Sequence, residues 1–310
     1  MRVTLVHNPE AGSGDHVGGE LLARFRDAGH EPTYVSTEAA DLTRGLDSSP
    51  DLVLAAGGDG TVGAVARLMA AKTPDVPLSI LPIGTANNIA RALGVTGSVD
   101  DIVRGLGSGT ERTLDIATAR APWGTVRFVE SAGIGIFAAM LRDAEREENA
   151  HGPSNGGGPT PRHRGSRMQR MLDRARPRHW RIEADGEDLS ASYLLVAALN
   201  IPYVGPGLEL APAADAGDGK LDLLLVTEAE REALGDYLAG FGRGEERTIA
   251  IPTRSVRRAR LEWSAAHGYV DDRLWPAAGG SANRTALADA MTDIEAADRS
   301  LRVLVPDPGG

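Results

Sequence analysis

The stretch Asp51–Val65, DLVLAAGGDGTVGAV, sets an acid and a hydroxyl among glycines directly after an apolar run. A strand end, a glycine turn and a helix start gather free backbone N–H groups, and glycine lets a phosphate approach them closely. Asp59 at the tip is placed to hold Mg²⁺, directly or through water; Thr61 is placed to cap the helix and touch a phosphate. Leu81–Gly94, LPIGTANNIARALG, repeats the order of strand, glycine, hydroxyl and helix, with Gly84, Thr85, Asn87 and Asn88 at the turn. A third loop, HNPEAGSG at His7–Gly14, follows the first apolar run. Its Gly12, Gly14 and Gly18 are spaced GxGxxxG rather than GxGxxG, so Asn8–Gly12 reads as a nucleotide-facing loop and not as a dinucleotide fingerprint. The sequence has no G-x-x-x-x-G-K-[ST], so phosphate charge must be offset by metal, amides and arginine.

Two acidic stretches add carboxylates. Asn200–Val226 carries Asp215, Asp218 and Asp222, and Asp218-Gly219 leads into a strand. Those acids read equally as a hairpin turn or as ligands. His267–Trp275, HGYVDDRLW, delivers Asp271 and Asp272 at the end of a short strand. A carboxylate there can take a proton from an attacking hydroxyl, and the plain alternative is a β-turn with solvated acids. The 7 histidines show no metal spacing.

The elements that must position these residues follow from periodicity. The first 120 residues or so alternate strands (Arg2–His7, Pro32–Thr37, Asp51–Ala56, Pro77–Pro82) with helices. Those helices are expected before Gly29, over Ala39–Leu46, over Thr61–Met69 and over Asn88–Leu93. This order predicts a parallel sheet covered on both faces, with ligands beyond the C-terminal ends of its strands. After Leu114 strands dominate: Val126–Ser131, Trp180–Ala184, Tyr193–Leu199, Leu221–Val226, Arg254–Trp263, Tyr269–Asp271 and Leu301–Val305, with one helix near Glu228–Phe241. The expected organisation is an α/β domain over 1–119 and a mainly antiparallel β domain over 120–296. Residues 297–310 are expected to pack back on the first domain, and a mobile insertion is expected at 149–166.

With 43 acidic against 33 basic side chains, the net charge of -10 argues against a broad nucleic-acid footprint. The absence of cysteine excludes disulfides and thiolate chemistry. No apolar run reaches the roughly 18 residues of a membrane span, and the opening MRVTLVHNPEAG is too short in apolar residues for a signal-peptide core. The expected location is cytoplasmic, at most peripheral on the inner face of a membrane. Arg162–Arg181 holds eight arginines against one acid, Asp173. Arg167, Arg170, Arg174 and Arg178 recur at helical spacing beside Met168, Met171 and Leu172. That pattern fits a basic amphipathic segment docking on anionic lipid, or a solvated helix face.

The motifs HNPEAGSG, GGDGTV, GTANNIAR, LDIA (Leu114–Ala117), ESAGIG (Glu130–Gly135), the run Asn200–Leu223 and VDD occur in an order that resembles the diacylglycerol kinase catalytic-domain family. That family includes bacterial lipid kinases and the sphingosine and ceramide kinases; GGDGT is shared with NAD kinases. The resemblance implies a Rossmann-like nucleotide-binding domain followed by a β-sandwich domain. It implies ATP with Mg²⁺ and transfer of the γ-phosphate to a lipid hydroxyl. It places Asn8, Thr37, Gly57, Gly58, Gly60, Thr61, Gly84, Thr85 and Asn87 against the nucleotide. It makes Asp59, Asp115 and Asp218 metal-associated, and Asp271 the general base beside a catalytic Asp59. Three positions depart from the family pattern: Asn88 and Phe137 stand where many members have aspartate, and Asp271-Asp272-Arg273 replaces Asp-Gly-Glu. NAD kinase and a nucleotide-binding regulatory protein without turnover are the alternatives. A homodimer is compatible with the sequence.

Overall fold

The structure is a computed structural model. It describes all residues except 13–16, 39–41, 152–160, 206, 246, 264–267, 277–289 and 308–310, and, within its helices, leaves out the side chains of 42, 44, 148–151 and 161–164. Two compact units result. One comprises Met1–Ile116, Ala216–Asp218 and Arg299–Gly310; the other comprises Ala117–Asp215 and Gly219–Asp298.

In chain order the first unit contains β1 (Arg2–His7), α1 (Gly18–Asp27), β2 (Glu31–Ser36), β3 (Leu52–Gly57), α2 (Asp59–Lys72), β4 (Leu78–Pro82), α3 (Asn88–Leu93) and α4 (Val99–Gly105). β3 is buried at every position because helices cover both faces of a parallel sheet, which is why its apolar run is continuous rather than alternating. The pairs β4–β3, β3–β1 and β1–β2 are all parallel. Strand order changes direction at β1: β2 lies on one side, β3 and β4 on the other. In the register His7 faces Ala56 and Ser36, and Gly57 faces Pro82, so the C-terminal ends of all four strands are level. A crevice at such a reversal is where open α/β sheets bind ligands. Leu5, Phe25, Leu54, Met69, Leu78 and Ile80 fill the core. The helix expected over Ala39–Leu46 is a 3-10 turn at Leu42–Gly45, and its first three residues lie outside the described ones.

The remaining elements are β5 (Thr110–Ala121), β6 (Gly124–Phe128), β7 (Ser131–Gly135), α5 (Ile136–His151), α6 (Pro161–Arg174), β8 (Arg178–Trp180), β9 (Ile182–Ala184), β10 (Glu187–Asp188), β11 (Ala191–Tyr193) and β12 (Leu195–Leu199). They continue as β13 (Tyr203–Val204), β14 (Leu208–Glu209), β15 (Leu221–Val226), α7 (Arg231–Arg243), β16 (Thr253–Val256), β17 (Arg258–Glu262), β18 (Gly268–Val270), β19 (Arg273–Trp275) and β20 (Met291–Val305). In the second unit the sheet β16-β15-β12-β7-β18-β19 is antiparallel throughout. Its strands are apolar on both faces for a specific reason. Leu195, Ala197 and Leu199 of β12 pack with α5, α6 and α7 residues, whereas Val196 and Ala198 pack with Ile182, Leu261 and Ile294 of the other sheet. The mixed α/β unit and the mainly antiparallel unit match the expected fold class.

Several expectations for the second unit need correction. Besides the helix expected near Glu228–Phe241 there are α5, which was not expected, and α6, which carries Arg167, Arg170 and Arg174 of the arginines at helical spacing. Pro161–Ser166, expected within a mobile insertion, opens α6, with proline at the first helical position where its missing N–H costs nothing. The basic segment is not one helical stripe. Arg178 lies on β8, and Arg167 pairs with Glu147 and is mostly covered. Met168 and Leu172 are buried in the core against α7, with Met171 packed beside them. The apolar face that would enter a membrane is thus used within the unit, leaving Arg170 and Arg174 exposed. No helix of the described residues is long and apolar enough to cross a membrane.

Candidate active site

Three loops leave the level strand ends of the first unit, and they meet backbone to backbone. A Cβ at Gly84 would stand 2.3 Å from Gly58 Cα, and one at Gly12 would stand 2.4 Å from the Ile83 carbonyl oxygen. Gly57 is equally constrained, because a Cβ there would meet Thr61 at 2.5 Å. Glycine is therefore demanded by contact between loops as well as by access to a ligand. Asn8 donates from Nδ2 to Thr61 Oγ1 at 3.3 Å and accepts from the Glu10 amide at 3.0 Å. The Thr37 amide donates to the His7 carbonyl at 2.8 Å, tying the end of β2 to the end of β1.

Asp59 joins the GGDGT loop to the loop that follows β4. Its Oδ1 accepts from the Ile89 amide at 2.9 Å, so a carboxylate on α2 caps α3. Burial raises its pKa above the ordinary aspartate value, and the backbone N–H groups of Ile89, Asn88 and Asn87 oppose that rise. Asn87, at φ 52°, accepts from the Gly84 amide at 3.0 Å and donates to the carbonyls of Gly84 and Pro82. Its side chain thus shapes the loop. Thr61 is not the cap expected from the sequence. The helix starts at Asp59, Gly58 is the N-cap without a side-chain hydrogen bond, and Thr61 sits in the first turn. Gly60 and Thr85 are exposed, and the amides of the first turn of α2 form the anion-binding end of a 14-residue helix.

Asp115 is buried, accepts from Ser300 Oγ at 2.6 Å, and its amide donates to the Ala216 carbonyl at 2.7 Å. Asp218 is exposed in the turn that follows Ala216. Among the described residues no three His, Asp or Glu side chains gather as a metal cluster, so Asp59, Asp115 and Asp218 do not form a joint carboxylate cage. Asp222 is spent on Thr253, whose hydroxyl donates to it at 2.6 Å.

In the second unit Asp271 and Asp272 form the two-residue turn between β18 and β19. Asp271 takes φ 53°, the sign that such turns require at their first position. Its Oδ1 accepts from the amides of Val129 at 3.1 Å and Glu130 at 2.8 Å. Asn200, 1% exposed, supports that seat by donating from Nδ2 to the Val129 carbonyl at 2.8 Å, while its amide donates to the Glu130 carbonyl at 2.8 Å. Sequence reasoning gave no role to Asn200 or Glu130, although each opens one of the motifs that carry the family resemblance. Below the turn Tyr269 is fully buried, with its phenol held above its ordinary pKa by burial, and it stacks edge-on with Phe137 at 4.5 Å. Two cavities of about 420 and 390 Å³ lie elsewhere, one beside Arg2 and His30, one beside Asp185 and Arg258. Neither is lined by a candidate residue.

A family model of the diacylglycerol kinase catalytic domain matches residues 2–119, and one of the YegS C-terminal NAD kinase beta sandwich-like domain matches 165–262. Over residues 2–119 the chain resembles the diacylglycerol kinase catalytic-domain family. It is 28% identical over 245 residues to a diacylglycerol kinase of Bacillus subtilis, covering 74% of each chain. It is 29% identical over 285 residues to a diacylglycerol kinase of Mycobacterium tuberculosis, covering 87% of this chain and 88% of that one. A solved diacylglycerol kinase structure from Bacillus anthracis superposes with a TM-score of 0.63 at 19% identity, covering 99% and 98% of the two chains, a likeness of fold. The departures from the family pattern have local settings. Phe137 is a core ring against Tyr269 and Gly205, and Asn88 is buried at the start of α3. Arg273 is 72% exposed and pairs with Asp272 at 3.4 Å.

Proposed function

We propose that the protein is an ATP-dependent lipid kinase that transfers the γ-phosphate to a lipid hydroxyl. The observation that supports this most directly is the backbone meeting of three glycine loops at the sheet's point of reversal, one of them opening α2. In this reading Asn8, Thr37, Gly57, Gly58, Gly60, Thr61, Gly84, Thr85 and Asn87 form or shape the triphosphate site. The amides at the start of α2 act on the phosphate oxygens. Asp271 accepts the proton of the acceptor hydroxyl as its oxygen bonds to the γ-phosphorus and the bond to the β-phosphate oxygen breaks, releasing ADP.

Mg²⁺ suits the donors present, because that ion takes one or two carboxylates together with nucleotide phosphates and water. Asp59 and Asp115 are the candidate carboxylates and Asp218 the more distant one in role; the ion would neutralise charge on the transferring group. A lipid acceptor requires contact with a membrane surface, for which Arg170 and Arg174 are exposed arginines among the described side chains of α6.

The test is phosphate transfer from labelled ATP to diacylglycerol and to a sphingoid base in mixed micelles, with NAD as a competing acceptor. Label on a lipid, lost in Asp271→Asn while ATP binding persists, is the expected result. Label on NAD alone, or full transfer by Asp271→Asn, would refute the reading. ATP binding without turnover on any acceptor would make the protein a regulatory nucleotide binder.

A further inference from the structure

Tyr34 on β2 has no part in the chemistry above, yet it touches both ends of the segment that carries the first glycine loop. Leu5 faces Tyr34 in the register of β1 and β2, so His7, two residues further along β1, shares a face of the sheet with Tyr34. A hydrogen bond of 3.0 Å joins Tyr34 Oη to His7 Nδ1, and the two rings meet edge-on with centroids 5.8 Å apart. His7 is fully buried, a setting in which a hydrogen bond is stronger than in water. At the other end the same phenol lies over Gly18, the first residue of α1: a Cβ there would stand 2.7 Å from Tyr34 Cε2 and 2.8 Å from Oη. From His7 the contacts run directly into the site. Its carbonyl accepts from the Thr37 amide at 2.8 Å, and the next residue, Asn8, reaches Thr61 Oγ1 at 3.3 Å. Gly12, later in the same loop, backs onto the Ile83 carbonyl.

We propose that Tyr34 is a positioning residue of the nucleotide site. Its hydroxyl fixes His7, and through His7 both Asn8 and Thr37; its ring fixes the start of α1. An aliphatic side chain meets neither task, and phenylalanine meets only the second. The proposal rests on the reading of the glycine loops as a triphosphate site, and it adds the residue that holds the first of those loops to the sheet.

Amide hydrogen exchange and binding of adenylyl imidodiphosphate with Mg²⁺, both on the full chain, test it. Tyr34→Phe keeps the ring on Gly18 and removes the bond to His7. Exchange at the Asn8, Ala11 and Thr37 amides is expected to accelerate, and Kd for the analogue to rise about three- to tenfold, the loss of one hydrogen bond. In turnover the change is expected in KM for ATP, with kcat altered by less than about twofold. Gly18→Ala displaces the phenol from its other end. It is expected to weaken binding in the same direction, and in combination with Tyr34→Phe to weaken it by less than the product of the two single effects. A phenol that only fills space would lower Tm while exchange and Kd stay parental, which overturns the proposal and leaves the triphosphate reading intact. Accelerated exchange with a parental Kd, or a parent that does not bind the analogue, overturns it through that reading. Single effects that multiply independently would overturn the link between Gly18 and His7 through Tyr34.

Discussion

Substituting Gly84 by alanine tests whether the two phosphate loops depend on contact between their backbones. The added Cβ would lie 2.3 Å from Gly58 Cα and 2.9 Å from both Gly58 N and Asn87 Oδ1. Ordinary carbon contacts begin near 3.5 Å, so the loops must separate by about 1.2 Å. No flexible side chain can absorb that shift, because the obstacle is main chain. The movement strains the bond from the Gly84 amide to Asn87 and the bond from the Ile89 amide to Asp59. Overpacking of this kind costs about 1–3 kcal/mol of stability. Misplacing a reacting group by about 1 Å costs on the order of 100-fold in rate. The assay pairs urea unfolding with kcat/KM for ATP, measured by ADP release with diacylglycerol micelles. Gly19→Ala is the control: it lies in α1, has nothing within 4 Å, and should gain about 0.5–1 kcal/mol. A Gly84→Ala protein with parental kcat/KM and stability would show that the loops are not in contact and that the phosphate site is misassigned.

Asp59→Asn keeps an oxygen for the Ile89 amide, so the fold should persist while kinase activity falls at least 10-fold, an order-of-magnitude expectation for loss of one site charge. Burial raises the Asp59 pKa above its unfolded 3.8, so the folded chain binds more protons and loses stability as pH rises through that interval. Urea titrations from pH 3 to 7 should show this loss in the parent and a flatter profile in the variant; identical profiles would count against the buried carboxyl. Asn200→Ala removes a buried donor to the Val129 carbonyl and should cost about 1–3 kcal/mol. It should lower kcat with KM for ATP unchanged, and a change confined to KM would remove Asn200 as a support of Asp271. Arg273→Ala should shift stability by no more than about 0.5 kcal/mol, given its exposure and its long pair with Asp272, and a larger loss in thermal melting would reveal a contact beyond that pair.

The local part of the site was readable because it is written in short runs. Continuous apolar stretches ending in glycine located β3 and β4, and their loops, to within a residue or two. Leu221–Val226 emerged with its expected ends for the same reason. What could not be read is non-local. The level register of β1, β3 and β4 is set by pairing across the sheet, and the hydrogen bond between Asp59 and Ile89 joins residues 30 apart. Nor could the sequence tell that the Asn87 side chain bonds within its own loop, to Gly84 and Pro82. α5 was overlooked because Ile136, Phe137 and Met140 follow the strand residues of ESAGIG without a break signal, so one apolar run hides two periodicities. In β8 to β12, by contrast, the boundaries failed by small amounts, because short antiparallel strands are divided at single residues outside the regular ladders, such as Arg181 and Leu194.

The parallel sheet of the first unit is completed by the distant end of β20, where Val303 pairs with Leu78 and Ser79 Oγ donates to the Leu304 carbonyl across 225 positions of sequence. Until that segment arrives, β4 is an open border with unsatisfied main-chain groups, ready to recruit a stranger. Closing so long a loop is slow. The nucleotide-binding half should therefore mature after most of the intervening chain has been made, and a nascent or clipped molecule lacking residues 299–305 should be sticky rather than merely inactive.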